Sequence, residues 1–114
     1  MGSEIQFLTP WTTPASPEGL VAELRREVGR HHPLFSKAVS AIGVASDRDD
    51  VLFEISGGST RQYAVVHLTW SGKPEPSGTC PFTRFFDSLE QWLEWMKADH
   101  EDYTYGEKEP PQRL

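Results

Sequence analysis

Apolar and polar positions alternate most regularly in Tyr63-Ala64-Val65-Val66-His67-Leu68-Thr69-Trp70, the longest β-favouring run in the chain. Ala64, Val66, Leu68 and Trp70 share one face, apolar throughout. Tyr63, Val65, His67 and Thr69 share the other, which is mixed. That pattern predicts a central strand over 61–70 with a core side and a partly wet side. Two shorter runs precede it. Val39, Ala41, Ile42 and Val44 predict a strand within 36–46, and Val51, Phe53 and Ile55 one over 51–55. Asp47-Arg48-Asp49-Asp50 is the turn between them, and Ser56-Gly57-Gly58-Ser59-Thr60 is a hairpin loop whose glycines permit a tight reversal. Strands joined by short turns make an antiparallel meander. Ser71 to Pro81, with three prolines and two glycines, is a loop, and Phe82–Phe86 is a short fourth strand.

Two segments follow the helical period instead. Ser16-Pro17-Glu18 starts a helix, with Ser as cap, Pro in the first turn and Glu near the positive dipole end. Leu20, Val21, Leu24 and Val28 line one side, and Glu23–Arg26 and Glu27–Arg30 lie three apart on others. Gly29 ends it, so a helix is expected over 16–29. Asp87-Ser88-Leu89-Glu90 has the form of a capping box and opens a helix over 88–98, its apolar face carrying Leu89, Trp92, Leu93 and Met96. The expected fold is α+β: a three- or four-stranded antiparallel meander with one helix before it and one after, both packed on one face of the sheet.

The ends read differently. Residues 1–15 hold Ile5, Phe7, Leu8 and Trp11 among Thr and Pro, and two readings are open: a mobile arm, or an arm pinned by Trp11. Residues 16–103 form the single domain. From 104 to 114 the chain is acidic and then Pro-rich, the composition of a disordered tail.

Charge changes the picture more than composition does. The net charge is −6. Residues 1–86 are nearly balanced, with eight basic and nine acidic side chains, whereas residues 87–114 carry three basic and eight acidic. A field of that sign disfavours phosphate backbones and anionic lipid, so nucleic acid and membrane surfaces are not expected partners, and a basic protein is. No apolar run is long enough to span a membrane, and with no basic segment followed by an apolar one near residue 1, no signal peptide is expected. The lone Cys80 forms no intramolecular disulfide and fits a reducing compartment. The expected location is cytoplasmic.

Three segments, His32-Pro33-Leu34, Asp49-Asp50-Val51-Leu52-Phe53 and Val65-Val66-His67-Leu68-Thr69-Trp70 with the Pro-rich loop after it, resemble a set of small uncharacterised bacterial proteins. The resemblance covers about residues 32–96. It implies an α+β fold and a bacterial origin, and no activity.

Two candidate sites emerge. Trp95 is offset from the apolar stripe of its helix and lies near Glu94, Asp99, Glu101 and Asp102, a patch suited to protein contact. The alternative is a small enzyme or ligand-binding domain centred on His67 and Thr69, with Tyr63 and Cys80 nearby and the loop 71–81 over it. A partly buried His bonded to a polar neighbour, and a Cys present for packing, are the commoner roles of such residues. Asp47, Asp49 and Asp50 lack the glycine and distal Glu of a calcium loop. His31, His32, His67, Cys80 and His100 show no paired ligand spacing, so no metal and no cofactor are expected. The favoured reading is a non-catalytic protein-binding module with an acidic surface, in one concrete form an immunity-type inhibitor of a basic partner. The sequence leaves the oligomeric state open.

Overall fold

The computed structural model describes residues 5–56, 61–74 and 81–108, the last four of these by their backbone alone. Five strands form one antiparallel sheet in chain order: β1 (Trp11–Thr12), β2 (Ala38–Ala45), β3 (Asp50–Ser56), β4 (Gln62–His67) and β5 (Phe82–Phe86). Helix α1 (Pro17–Glu27) lies between β1 and β2, and α2 (Leu89–Lys108) follows β5. The α+β antiparallel meander is as expected, but the sheet has five strands, not three or four. The extra one is β1, two residues long and bracketed by Pro10 and Pro14, too short to leave a period in the sequence. It pairs Trp11 with Ala45 and Thr12 with Val44, so the arm is pinned.

The two helices do not share a face. Leu24 of α1 and Val28 just after it pack with Ala41, Val51, Phe53, Ile55, Ala64, Val66 and Leu68. Trp92 and Met96 of α2 pack with Trp11, Ala45, Leu52, Tyr63, Val65 and Phe86. These are alternate residues of the same strands, so the sheet is covered on both sides. The single-face expectation fails because the mixed face of β4 owed its polarity to His67 and Thr69. His67 ends the strand and Thr69 lies beyond it, leaving Tyr63 and Val65 free to be buried.

A bulge in β2 reconciles the two faces. Ala41 pairs with Phe53 and Gly43 with Leu52, leaving Ile42 as the extra residue. Ile42 and Gly43 thus both face α2. A Cβ on Gly43 would come within 2.9 Å of the Phe7 ring, so glycine here lets the arm lie flat on the sheet.

The helix ends differ in detail from expectation. Ser16 precedes α1 but its side chain makes no cap hydrogen bond. At α2 the box is shifted by one residue. The Gln91 amide donates to Ser88 Oγ at 3.2 Å, and Gln91 Oε1 accepts from the Asp87 amide at 3.0 Å, so Ser88 is the cap and Gln91 the reaching residue. The helix runs on to Lys108, into the segment read as a tail; residues 109–114 lie outside the described part.

Leu68 is buried in the α1-side cluster, whereas Leu93 is half-buried on the α2 side. Leu68→Ala should cost about 2–5 kcal/mol in chemical denaturation, and Leu93→Ala clearly less. Because they lie on opposite faces, the double variant should lose the sum. A marked departure from additivity would contradict the two-sided sheet.

Candidate functional site

Two polar clusters stand out, one on each side of the sheet. The first grows from the β2–β3 turn. Arg48 reaches three carboxylates: its Nε donates to Asp50 Oδ2 at 2.7 Å, its Nη1 to Asp47 Oδ1 at 3.0 Å and its Nη2 to Asp99 Oδ2 at 2.7 Å. The same Asp99 oxygen accepts from Trp11 Nε1 at 2.9 Å, and the Arg48 guanidinium lies 5.6 Å from the centre of the Trp11 ring. Burial works against the Arg48 charge, but Asp99 and Asp50 outweigh it and hold its pKa above the ordinary value. Arg48 therefore offsets part of the charge of the acidic turn, and the network ties turn, arm and α2 together.

His67 is the outer member of this chain of contacts. Its Nδ1 lies 2.8 Å from Asp50 Oδ1, with Nδ1–H as donor to the carboxylate, and its side chain is 53% exposed. The ring is thus oriented by Asp50 with Nε2 outward. The other residues of the His67-centred candidate do not gather around it. Thr69 Oγ1 accepts from the Ser71 amide at 3.2 Å. Tyr63 is buried at the far end of β4, opposite Phe86, and burial, reinforced by Glu54, pushes its phenol pKa up. Cys80 lies outside the described residues, as does most of the loop 71–81. No group of three or more metal-ligating side chains occurs among the described residues.

The residues of the acidic patch divide. Asp99 points inward, into the Arg48 network. Trp95 is half-buried, its ring 5.9 Å from Trp11 and 5.8 Å from Phe86, with the Arg84 guanidinium 6.0 Å above it. Glu94, Glu101 and Asp102 are exposed, joined by Glu90. Glu90, Glu94, Lys97 and Glu101 follow at helical spacing on one outer face of α2, and none of the four carboxylates forms an ion pair with a described residue.

The second cluster was not legible in the sequence. Glu23 and Glu27, expected on the charged side of α1, are 2% and 1% exposed. Glu27 makes no pair with Arg30. Its Oε1 accepts from the Thr69 amide at 2.9 Å and its Oε2 from the Trp70 amide at 2.7 Å. Glu23 Oε2 accepts from the Gly72 amide at 3.1 Å while its Oε1 takes two bonds from Arg26. Burial raises the Glu27 pKa, helped by its hydrogen bond to Glu23; the same bond, with Arg26 and Gly72, lowers that of Glu23. The pair grips residues 69–72 and ends β4 early. Trp70, expected in the core, is 50% exposed and sits at φ 59°, followed by Gly72 at φ 75°.

His32, expected in a plain connector, is also buried. Its Nδ1 accepts from the Leu34 amide at 3.0 Å, leaving Nε2–H to donate to the Pro81 carbonyl at 2.9 Å, so the connector is locked to the start of β5.

No helix among the described residues is long and apolar enough to cross a membrane. No family model matches the chain, and neither a curated protein nor a solved structure matches it.

Proposed function

We propose that this chain is a non-catalytic protein-binding module of the bacterial cytoplasm that presents the outer face of α2 to a basic partner, in the manner of an immunity-type inhibitor. The observation that supports this reading is that unpaired acids gather on α2, whereas the other exposed acids without an ion pair among the described residues, Glu18, Asp49 and Asp87, are scattered. Asp47, Asp50, Asp99, Glu23, Glu27 and Glu54 are engaged within the fold. Glu90, Glu94, Glu101 and Asp102 are exposed on one helix, with Lys97 beside them and no ion pair among the described residues. Free charges of one sign on a rigid element contribute little to stability and much to encounter with an oppositely charged surface. Trp95, held by Trp11 and Phe86, supplies a half-exposed aromatic beside them.

A second reading, a small enzyme or ligand-binding domain at His67 and the loop 71–81, has one observation in its favour: the Asp50–His67 bond that orients the ring. One experiment separates the two. Changing Glu90, Glu94, Glu101 and Asp102 to the matching amides should slow association with the physiological partner roughly tenfold at low salt and flatten its salt dependence, with no change in melting temperature. His67→Ala should leave association unaltered. Binding indifferent to salt and to the four amides, but abolished by His67→Ala in a folded protein, would replace the first reading by the second.

A further inference from the structure

The Glu23–Glu27 clamp presents a puzzle of purpose. Two carboxylates are taken out of water, at real cost, to fix a segment in which Thr69, Trp70, Ser71 and Gly72 are all exposed. The clamp does not serve to bury the loop. What it fixes is the Trp70 indole, half in solvent, on a backbone with φ 59° that a tryptophan adopts only under constraint.

That indole forms one wall of a cleft of about 420 Å³ on the α1 side of the sheet, within the size range of small-molecule sites. Pro14, Leu20 and Val44 give it an apolar lining, and Gly19 and Arg26 of α1 lie along its rim. Gly19 lies against the Ser16 side chain, whose Oγ a Cβ here would meet at 3.1 Å. It sits inside the first turn of a helix, where glycine costs about 1 kcal/mol relative to alanine, and its backbone needs no positive φ. A larger side chain there would project into the cleft. Arg26, its side chain 54% exposed, directs Nε and Nη2 to Glu23 Oε1, which leaves Nη1 without a protein acceptor among the described residues.

We propose that this cleft binds a small molecule made of an aromatic ring and a carboxylate, the ring stacked on Trp70 over Leu20 and Val44 and the carboxylate received by Arg26. A flat apolar ring suits an indole wall and an aliphatic floor. A planar anion suits the free edge of a guanidinium. The site lies across the sheet from the outer face of α2 and is independent of the protein-binding reading.

The test is an amide and indole NMR titration with phenylacetate and with indole-3-acetate, benzylamine serving as the cationic control. The Trp70 indole signal is identified by its loss in Trp70→Phe. Saturable shifts of that signal and of the Gly19 amide, from at least one of the two acids and not from benzylamine, are expected. Gly19→Leu, which must push the Ser16 hydroxyl aside, should fill the cleft and weaken binding at least tenfold in a protein whose amide spectrum away from the cleft stays that of the folded chain. Arg26→Gln should weaken phenylacetate more than its neutral analogue phenylacetamide. The proposal is overturned if neither acid produces a saturable shift at Trp70, if benzylamine binds as well as the acids, or if Gly19→Leu leaves their affinity intact.

Discussion

Trp92→Ala should be the most damaging single substitution in the domain, with a loss of about 3–5 kcal/mol in chemical denaturation. Trp92 is wholly buried at the meeting point of arm, sheet and α2. Its ring lies 5.3 Å from Trp11 and 6.0 Å from Phe7, both edge-on, so its removal opens a cavity and takes away the surface that holds the arm. Size, not the indole nitrogen, is what counts, because Trp92 Nε1 is buried without a hydrogen-bond partner among the described residues. Trp92→Phe removes that orphan donor along with some volume and should retain most of the stability lost in Trp92→Ala. Equal losses in the two variants would mean that the nitrogen has a partner after all.

Glu27→Ala should follow, at about 2–4 kcal/mol, since it strips the Thr69 and Trp70 amides of their acceptor. Glu27→Gln keeps a carbonyl for the amides and an N–H for Glu23, and so resembles the protonated side chain. The pH dependence then has a definite sign. The Glu27 pKa is raised in the fold, so its stabilisation is complete below the ordinary glutamate value of 4.5 and fades as the pH rises through the raised value. Glu23, lowered in the fold, acts the other way: its contribution is present above its ordinary value and fades as the pH falls through the lowered one. Melting curves from about pH 4.5 upward should show the wild type losing ground to Glu27→Gln as the pH rises. Parallel profiles would contradict a Glu27 pKa raised by burial.

How much of this was written in the sequence depends on whether the deciding partner is local. Both helices were legible in their apolar stripes and their starts, which lie within a few residues of one another, the cap of α2 moving only from Asp87 to Ser88; the far end of α2 was not, since the helix runs past the expected 98 to Lys108. Four of the five strands were legible for the same reason. The fifth, β1, has no period to show, and only its pairing with Ala45 and Val44 defines it. Glu23 and Glu27 were misplaced because carboxylates three residues from arginines on a helix look like a solvated face. Their burial depends on backbone amides more than forty residues away, at Thr69, Trp70 and Gly72. Amides of a loop carry no side-chain signature. Asp99 misled in the same way: it belongs by composition to the acidic helix, and only Arg48 and the Trp11 indole draw it inward. Trp70 illustrates the reverse error. Its alternation with Leu68 is genuine, but the chain leaves the sheet at His67 and the face it would have joined has ended.

The assignment of the binding face to α2 is tested most directly by an amide NMR footprint of the protein titrated with a lysine-rich peptide at low salt. Perturbations should concentrate on Glu90, Glu94, Glu101 and Asp102, the free carboxylates of α2, and vanish as salt is added. The turn, whose Asp47 and Asp50 are held by Arg48, should respond less. If the largest shifts fall instead on that turn and on His67, with α2 silent, the acidic face of the helix is not where this protein meets a basic partner.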